Sequence, residues 1–173
     1  MVLDKLLGKK GASKAEKLLY LISSNSTDSV LKGRKKLTKL AFFAEYWLPE
    51  EEMLNPNEQF GEFNFIIYKF GPFSKDLFKA FDELKDEGFV EETRKPRGNS
   101  MIQLTPKGGE HAKEIRKKLN QEEQNQVKTV SEQLGSKSGH ELEEMSLDYL
   151  GISKSEKEDY MGMPVSVIIS EGS

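Results

Sequence analysis

No cysteine occurs among the 173 residues. That absence excludes a disulfide scaffold, a cysteine zinc site, an iron–sulfur cluster and thiol catalysis. Histidine is nearly as scarce, with only His111 and His140 present. A His-based metal centre or a His-dependent triad is therefore poorly supplied, and no cofactor and no metal site are expected. No run of about 18 apolar residues occurs, so no membrane span is expected. The first ten residues also lack the apolar block of about 7–15 residues of a secretory signal. The expected location is cytoplasmic. Apolar residues make up 36% with glycine left out, against roughly 45–50% in globular chains counted with it.

Charge and phenylalanine are plentiful. Charged residues make up 32% and there are ten phenylalanines, enough for a modest core. The net charge of −3 conceals a segregation along the chain. Residues 1–40 carry +7, 41–92 carry −9, 93–119 carry +6 and 120–173 carry −7. Local fields of this kind steer charged ligands even where the net charge is small.

Residues 1–12 form a basic N-terminal segment. Ser13 stands three residues before Glu16, a capping-box spacing, and Ala15, Leu18, Leu19 and Ile22 follow at helical period. A first helix is expected over about 14–23 and a second over about 34–48, ended by Pro49. The acidic stretch 50–59 contains Asn55-Pro56-Asn57 and reads as a loop. Aromatic and β-branched residues dominate 60–70, which reads as a strand. Gly71-Pro72 then makes a turn, and Ser74 caps a third helix over about 75–87, with Gly88 placed to end it. Runs at 89–95 and 100–105 make a hairpin around Pro96-Arg97-Gly98-Asn99. Thr105-Pro106 starts a fourth helix toward 119, with a continuation to about 134 open. A Gly/Ser linker at 135–139, a fifth helix at 141–150 and a late strand or plain tail at 165–169 complete the chain.

This order of elements predicts an α+β, mostly α fold: a winged helix-turn-helix over 13–134, with a C-terminal extension of linker, short helix and tail over 135–173. Two blocks also resemble a known family. One is Gly33-Arg34-Lys35-Lys36-Leu37-Thr38-Lys39-Leu40-Ala41-Phe42-Phe43. The other is Tyr68-Lys69-Phe70-Gly71-Pro72-Phe73-Ser74-Lys75-Asp76-Leu77, followed by a helix end over 84–90. Together they look like the motifs of YwgA-like and Panacea (SocA-like antitoxin) proteins, with Phe70 where that pattern has tyrosine. The resemblance spans about 13–150. It implies a winged-helix-like, non-enzymatic protein, and antitoxins that act by protein contact are among such relatives.

Several groups of side chains are candidates for binding. Arg34, Lys35, Lys36 and Lys39 gather cations at a helix start, where phosphates are favoured; the alternative is a solvated face. Arg94, Lys95 and Arg97 stand at the hairpin tip, as in a wing lying on a DNA backbone. In the third helix only Ser74, Lys75 and Lys79 suit DNA, because that helix carries a net −2 over 75–87 and a groove-reading helix normally presents cations and amides. Phe70, Pro72 and Phe73 form either a partner-binding turn or a structural corner. The aromatic set Phe42, Phe43, Tyr46 and Trp47 exceeds what one buried stripe needs. Glu50-Glu51-Glu52 and Glu143-Glu144 read as solvated charge, and Gly108-Gly109 has no phosphate-loop context.

The leading expectation is a transcriptional regulator that binds double-stranded DNA, with a homodimer as one option. The alternative is a protein-interaction module of antitoxin or adaptor type, whose partner is a protein such as a toxin. No nucleophile–base pair or ligand set supports an enzyme.

Overall fold

A computed structural model describes residues 11–98 and 100–172. Most of the basic N-terminal segment (1–10), Asn99 at the hairpin tip and Ser173 lie outside the described residues. The chain is α+β and mostly helical, with small antiparallel sheets.

Helix α1 (Lys14–Asn25) opens with the expected capping box: Ser13 Oγ accepts from the Glu16 amide, and the Glu16 carboxylate accepts from the Ser13 amide. A short strand β1 (Val30–Lys32) leads into α2 (Arg34–Tyr46). Helix α2 is the centre of the molecule, and every residue from Leu37 to Tyr46 is buried. Its aromatic residues are core. Phe42 meets Phe43, Tyr46 and Phe65 at centroid distances of 5.1, 5.4 and 5.8 Å. Phe43 and Trp47 both pack edge-on against Tyr149, at 6.1 and 6.3 Å. A helix buried on all sides must be covered on all sides, and α5 and α6 supply part of that cover.

After α2, a ribbon of β2 (Trp47–Leu48) and β3 (Met53–Leu54) encloses a 3₁₀ turn over Pro49–Glu51. The strand expected over 60–70 is reduced to β4 (Ile66–Tyr68). The reason lies in Glu45. Its carboxylate accepts from the amides of Phe60, Gly61 and Phe63 at 2.8, 2.6 and 2.9 Å, so those donors are spent on a buried side chain instead of a strand ladder. Glu62 and Asn64 take left-handed backbone conformations (φ 53° and 59°). This irregular path still turns Phe60, Phe63 and Phe65 inward.

Strand β4 pairs with β5 (Gly71–Phe73) in a tight hairpin. Ser74 caps α3 (Lys75–Asp86), accepting from the Leu77 amide at 3.0 Å and donating to the Phe63 carbonyl. The 89–105 hairpin forms as β6 (Val90–Thr93) and β7 (Met101–Leu104), and β1 adds to it in the order β1-β7-β6. Thr105 caps α4 (Pro106–Lys118), whose Gly108 has a packing reason. A Cβ there would stand 2.0 Å from the Phe89 carbonyl oxygen.

Helix α4 does not continue to 134. Asn120 and Glu123 form a second capping box and start α5 (Gln121–Leu134) afresh. Ser138 and Glu141 do the same for α6 (Gly139–Leu150). Beyond a 3₁₀ turn at Lys157–Tyr160, residues 165–172 are not a strand or a plain tail but helix α7 (Val165–Gly172). The backbone just before α7 does take up strand-like bonds. Gly162 donates to the Ile67 carbonyl, Ile67 to Met163 and Val165 to Phe65. Val165, Ile168 and Ile169 join the same hydrophobic core as α1 and α2.

Candidate interaction surface

The two resemblance blocks meet in space. The start of α2 lies against the β4–β5 hairpin and α3, and an apolar cleft of about 330 Å³ opens between them. Lys35, Thr38 and Lys39 of α2 line one wall. Tyr68, Phe70, Phe73 and Phe78 supply the rest. Tyr68 is 44% exposed and Phe70 58%, unusually high for large apolar side chains so close together. Phe73 sits between Tyr68 and Phe78 with centroids 5.5 and 5.0 Å away. Pro72 is buried, and Gly71 adopts φ 84°, which favours glycine and closes the turn.

The first cation cluster is engaged within the protein. Arg34 makes a bidentate pair with Glu92, Nε and Nη2 donating at 2.6 and 2.7 Å, while its guanidinium lies 5.1 and 4.9 Å from the Phe78 and Phe81 rings. Lys35 pairs with Glu143 at 2.5 Å, and its ammonium stands 4.9 Å from the Phe70 ring centroid. Glu143 is thus a buried partner and not solvated charge. Lys36 donates to the Gly135 carbonyl at 2.5 Å, and burial lowers its pKa. Lys39 is 2% exposed and donates to the Pro72 carbonyl at 2.8 Å. Burial brings the Lys39 amine down to about 7; Glu143 opposes that fall, and the cations Lys35 and Lys157 add to it.

The second cluster is different. Arg94, Lys95 and Arg97 are exposed at the hairpin tip. Among the described residues only Arg94 of these three approaches a carboxylate, with Nε 3.9 Å from Glu92. Lys95 lines a neighbouring cleft of about 400 Å³ together with Arg34, Phe78 and Glu92. In α3, Lys75 and Lys79 are exposed, while Ser74 is fully buried and occupied by its cap. The fold therefore gathers Arg34, Lys35, Lys39, Phe70 and Phe73 around one face and leaves Arg94, Lys95 and Arg97 at an adjoining tip.

Two functional details were missed by periodicity. Glu92 is an internal anchor, its side chain 1% exposed and its carboxyl held down to about 2, chiefly by the Arg34 hydrogen bonds. Glu45 is another, its pKa raised by burial and by neighbouring Glu58. One signal was available for Glu45: a lone carboxylate inside the run Ala41-Phe42-Phe43-Ala44-Glu45-Tyr46-Trp47 must be paired when that run is core. Among the described residues no group of His, Asp or Glu could hold a metal ion. His111 stacks on Phe89 at 4.6 Å and meets Glu16 at 3.2 Å. No helix among them is long and apolar enough to cross a membrane.

A sequence model of one protein family, described as antitoxin SocA-like, Panacea domain, matches residues 37–149. The matched stretch contains most of α2, the aromatic hairpin, α3 and α6. No curated protein and no solved structure matches the chain.

Proposed function

The chain belongs to the SocA-like antitoxin, Panacea-domain family, and from that premise we propose that it is a non-enzymatic protein-interaction module of antitoxin type, which neutralises or presents a partner protein. The observation that carries this reading is the β4–β5 hairpin, which holds Tyr68 and Phe70 in solvent on a backbone fixed from beneath by Lys39. Aromatic residues on a rigid support are favoured at protein interfaces, because they bury much area at little entropic cost. The α2 cations support the same reading. Arg34, Lys35 and Lys36 are engaged with Glu92, Glu143 and the Gly135 carbonyl, and Lys39 is 2% exposed, so little of this cluster faces a duplex backbone.

Co-expression tests this proposal. A growth-arresting polypeptide that co-purifies with the chain in fixed stoichiometry, and whose toxicity the chain relieves, is the expected result. Chain that purifies alone and leaves every candidate toxin active overturns it.

One observation favours a second reading. The β6–β7 hairpin follows α3 in the chain, β1 adds to its β7 edge, and Arg94, Lys95 and Arg97 stand exposed at its tip, which supports reading the hairpin as a wing. DNA contact through that tip predicts salt-sensitive duplex binding, lost in Arg94→Ala/Lys95→Ala/Arg97→Ala, because phosphate contacts release counterions. Duplex binding that is absent at low salt removes this reading.

A further inference from the structure

The cleft between α2 and the β4–β5 hairpin has three properties that define the chemistry of its ligand. Its surface is almost wholly apolar and partly aromatic, with Tyr68 and Phe70 at the mouth. Both charged residues that line it, Lys35 and Lys39, are cations. The third property is unused donor capacity. An ammonium has three N–H donors, and the one acceptor the structure shows for Lys39 among the described residues is the Pro72 carbonyl. Thr38, the remaining polar residue of the wall, spends its hydroxyl on the Arg34 carbonyl at 2.7 Å.

We propose that this cleft seats an acidic segment of a partner protein, with one large apolar side chain in the aromatic hollow and an adjacent carboxylate on the Lys39 ammonium. The assignment rests on the antitoxin-type reading and deepens it by naming the site and the partner's chemistry. Charge complementarity selects the carboxylate. A buried cation with a single acceptor gains more from an anion than an exposed one does, because little water competes. The apolar lining selects the side chain. Edge reading of adenine or cytosine uses amides or carboxylates, and none of the cleft's lining residues is Asn, Gln, Asp or Glu, so nucleic acid could be held there only by stacking and cation contact, which the oligothymidylate competition below tests.

The lowered pKa of Lys39 adds a pH signature. The groups facing it are Lys35 on α2, Tyr68 on β4, Glu143 on α6 and Lys157 on the 3₁₀ turn. Carboxylate binding needs the charged amine, so affinity is highest below pH 7 and falls as the amine deprotonates above it.

The probe is a fluorescein-labelled pentapeptide with one phenylalanine flanked on each side by two acidic residues, titrated into the full chain by fluorescence anisotropy. Saturable binding is expected below about 1 mM. Phe70→Ser and Lys39→Met should each weaken it about tenfold or more. The neutral amide analogue of the peptide should bind comparably weakly. Wild-type affinity should fall about tenfold between pH 6.5 and 8.5, and Lys39→Met should lack that dependence. Circular dichroism checks each variant's fold, and exposed Phe70 serves as the variant that leaves the core untouched.

No saturable binding by folded wild type overturns the assignment, as does equal binding of the amide analogue or of Phe70→Ser. Displacement of the peptide from the cleft by single-stranded oligothymidylate overturns it in favour of nucleic acid. If the chain still neutralises a protein partner in Phe70→Ser/Lys39→Met, the cleft assignment fails and the antitoxin-type reading stands. Loss of neutralisation in that variant while an Arg94→Ala/Lys95→Ala/Arg97→Ala variant retains it supports both.

Discussion

Replacing Glu92 with glutamine tests how the α2 start is fastened to the β6–β7 hairpin. The carboxylate accepts two hydrogen bonds from Arg34 at 2.6 and 2.7 Å, one from Ser100 at 3.1 Å and one from Lys85 at 3.3 Å. Together these hold its pKa at about 2 against an ordinary 4.5. A difference of roughly 2.5 units corresponds to about 3.4 kcal/mol. Arg34 and Lys85 are 21% and 35% exposed, so solvent screens part of it, and about 2–3 kcal/mol is the expected loss at pH 7. For a chain of this length that lowers Tm by roughly 5–10 °C. The sign with pH is fixed. Because the folded pKa lies below the unfolded one, the contribution is complete above pH 4.5 and is lost as pH falls toward 2. At pH 3 the gap between wild type and Glu92→Gln should shrink to about half. Urea denaturation of both proteins at pH 7 and pH 3 reads this directly, with Glu91→Gln as an exposed control expected to stay within about 0.5 kcal/mol. A Glu92→Gln protein as stable as wild type at pH 7, or a gap of equal size at both pH values, would refute the reasoning.

Three further outcomes are expected. The Lys39 amine is lowered to about 7 in the folded chain, so the folded state binds fewer protons than the unfolded one above that value, and stability rises with pH. Relative to Lys39→Met, wild type should gain about 2–3 kcal/mol between pH 7 and 9, measured by denaturant midpoints. Glu45 has the opposite sign. Its raised pKa means its contribution is full at low pH and lost as pH rises toward neutrality. Glu45→Gln should therefore gain on wild type from pH 5 upward in the same assay, and a parallel pair of curves would contradict this. Gly108→Ala forces a Cβ to 2.0 Å from the Phe89 carbonyl. A loss of about 2 kcal/mol or more is expected in thermal melts, whereas Gly109→Ala, with a nearest atom at 3.9 Å, should be nearly neutral.

The helices were legible because their signals are local. Ser13 with Glu16, Ser74 before Leu77 and Thr105 before Pro106 each act within one turn, and each begins a helix where expected. The break at Asn120 was also written locally, as a capping-box pair with Glu123, but the periodicity of the flanking residues masked it. The expected strand at 60–70 shortened for a reason that no window of sequence contains. Its donors go to Glu45, fifteen or more positions earlier. The helix at 165–172 was misread because its apolar run is short, and such runs do not distinguish helix from strand. The candidate surface divides in the same way. The motifs of residues 33–43 and 68–77 were visible in the sequence, and side chains from both line one cleft. Which cations point inward depends on Glu92, Glu143, Pro72 and Gly135, which follow them in the chain by between 33 and 108 positions.

Beside the buried side chains of Ile67 and Pro72, the β4–β5 hairpin is held through its main chain. Lys39 grips the Pro72 carbonyl, Lys157 the Lys69 carbonyl, Gly162 the Ile67 carbonyl, and Ile67 donates its own amide to Met163. None of these bonds depends on which side chains stand at positions 68 and 70. Scaffold and display are therefore separable in this molecule. The outward residues can be exchanged one at a time while the loop that carries them keeps its shape, so a new recognition preference can arise there by single substitutions without first destabilising the fold.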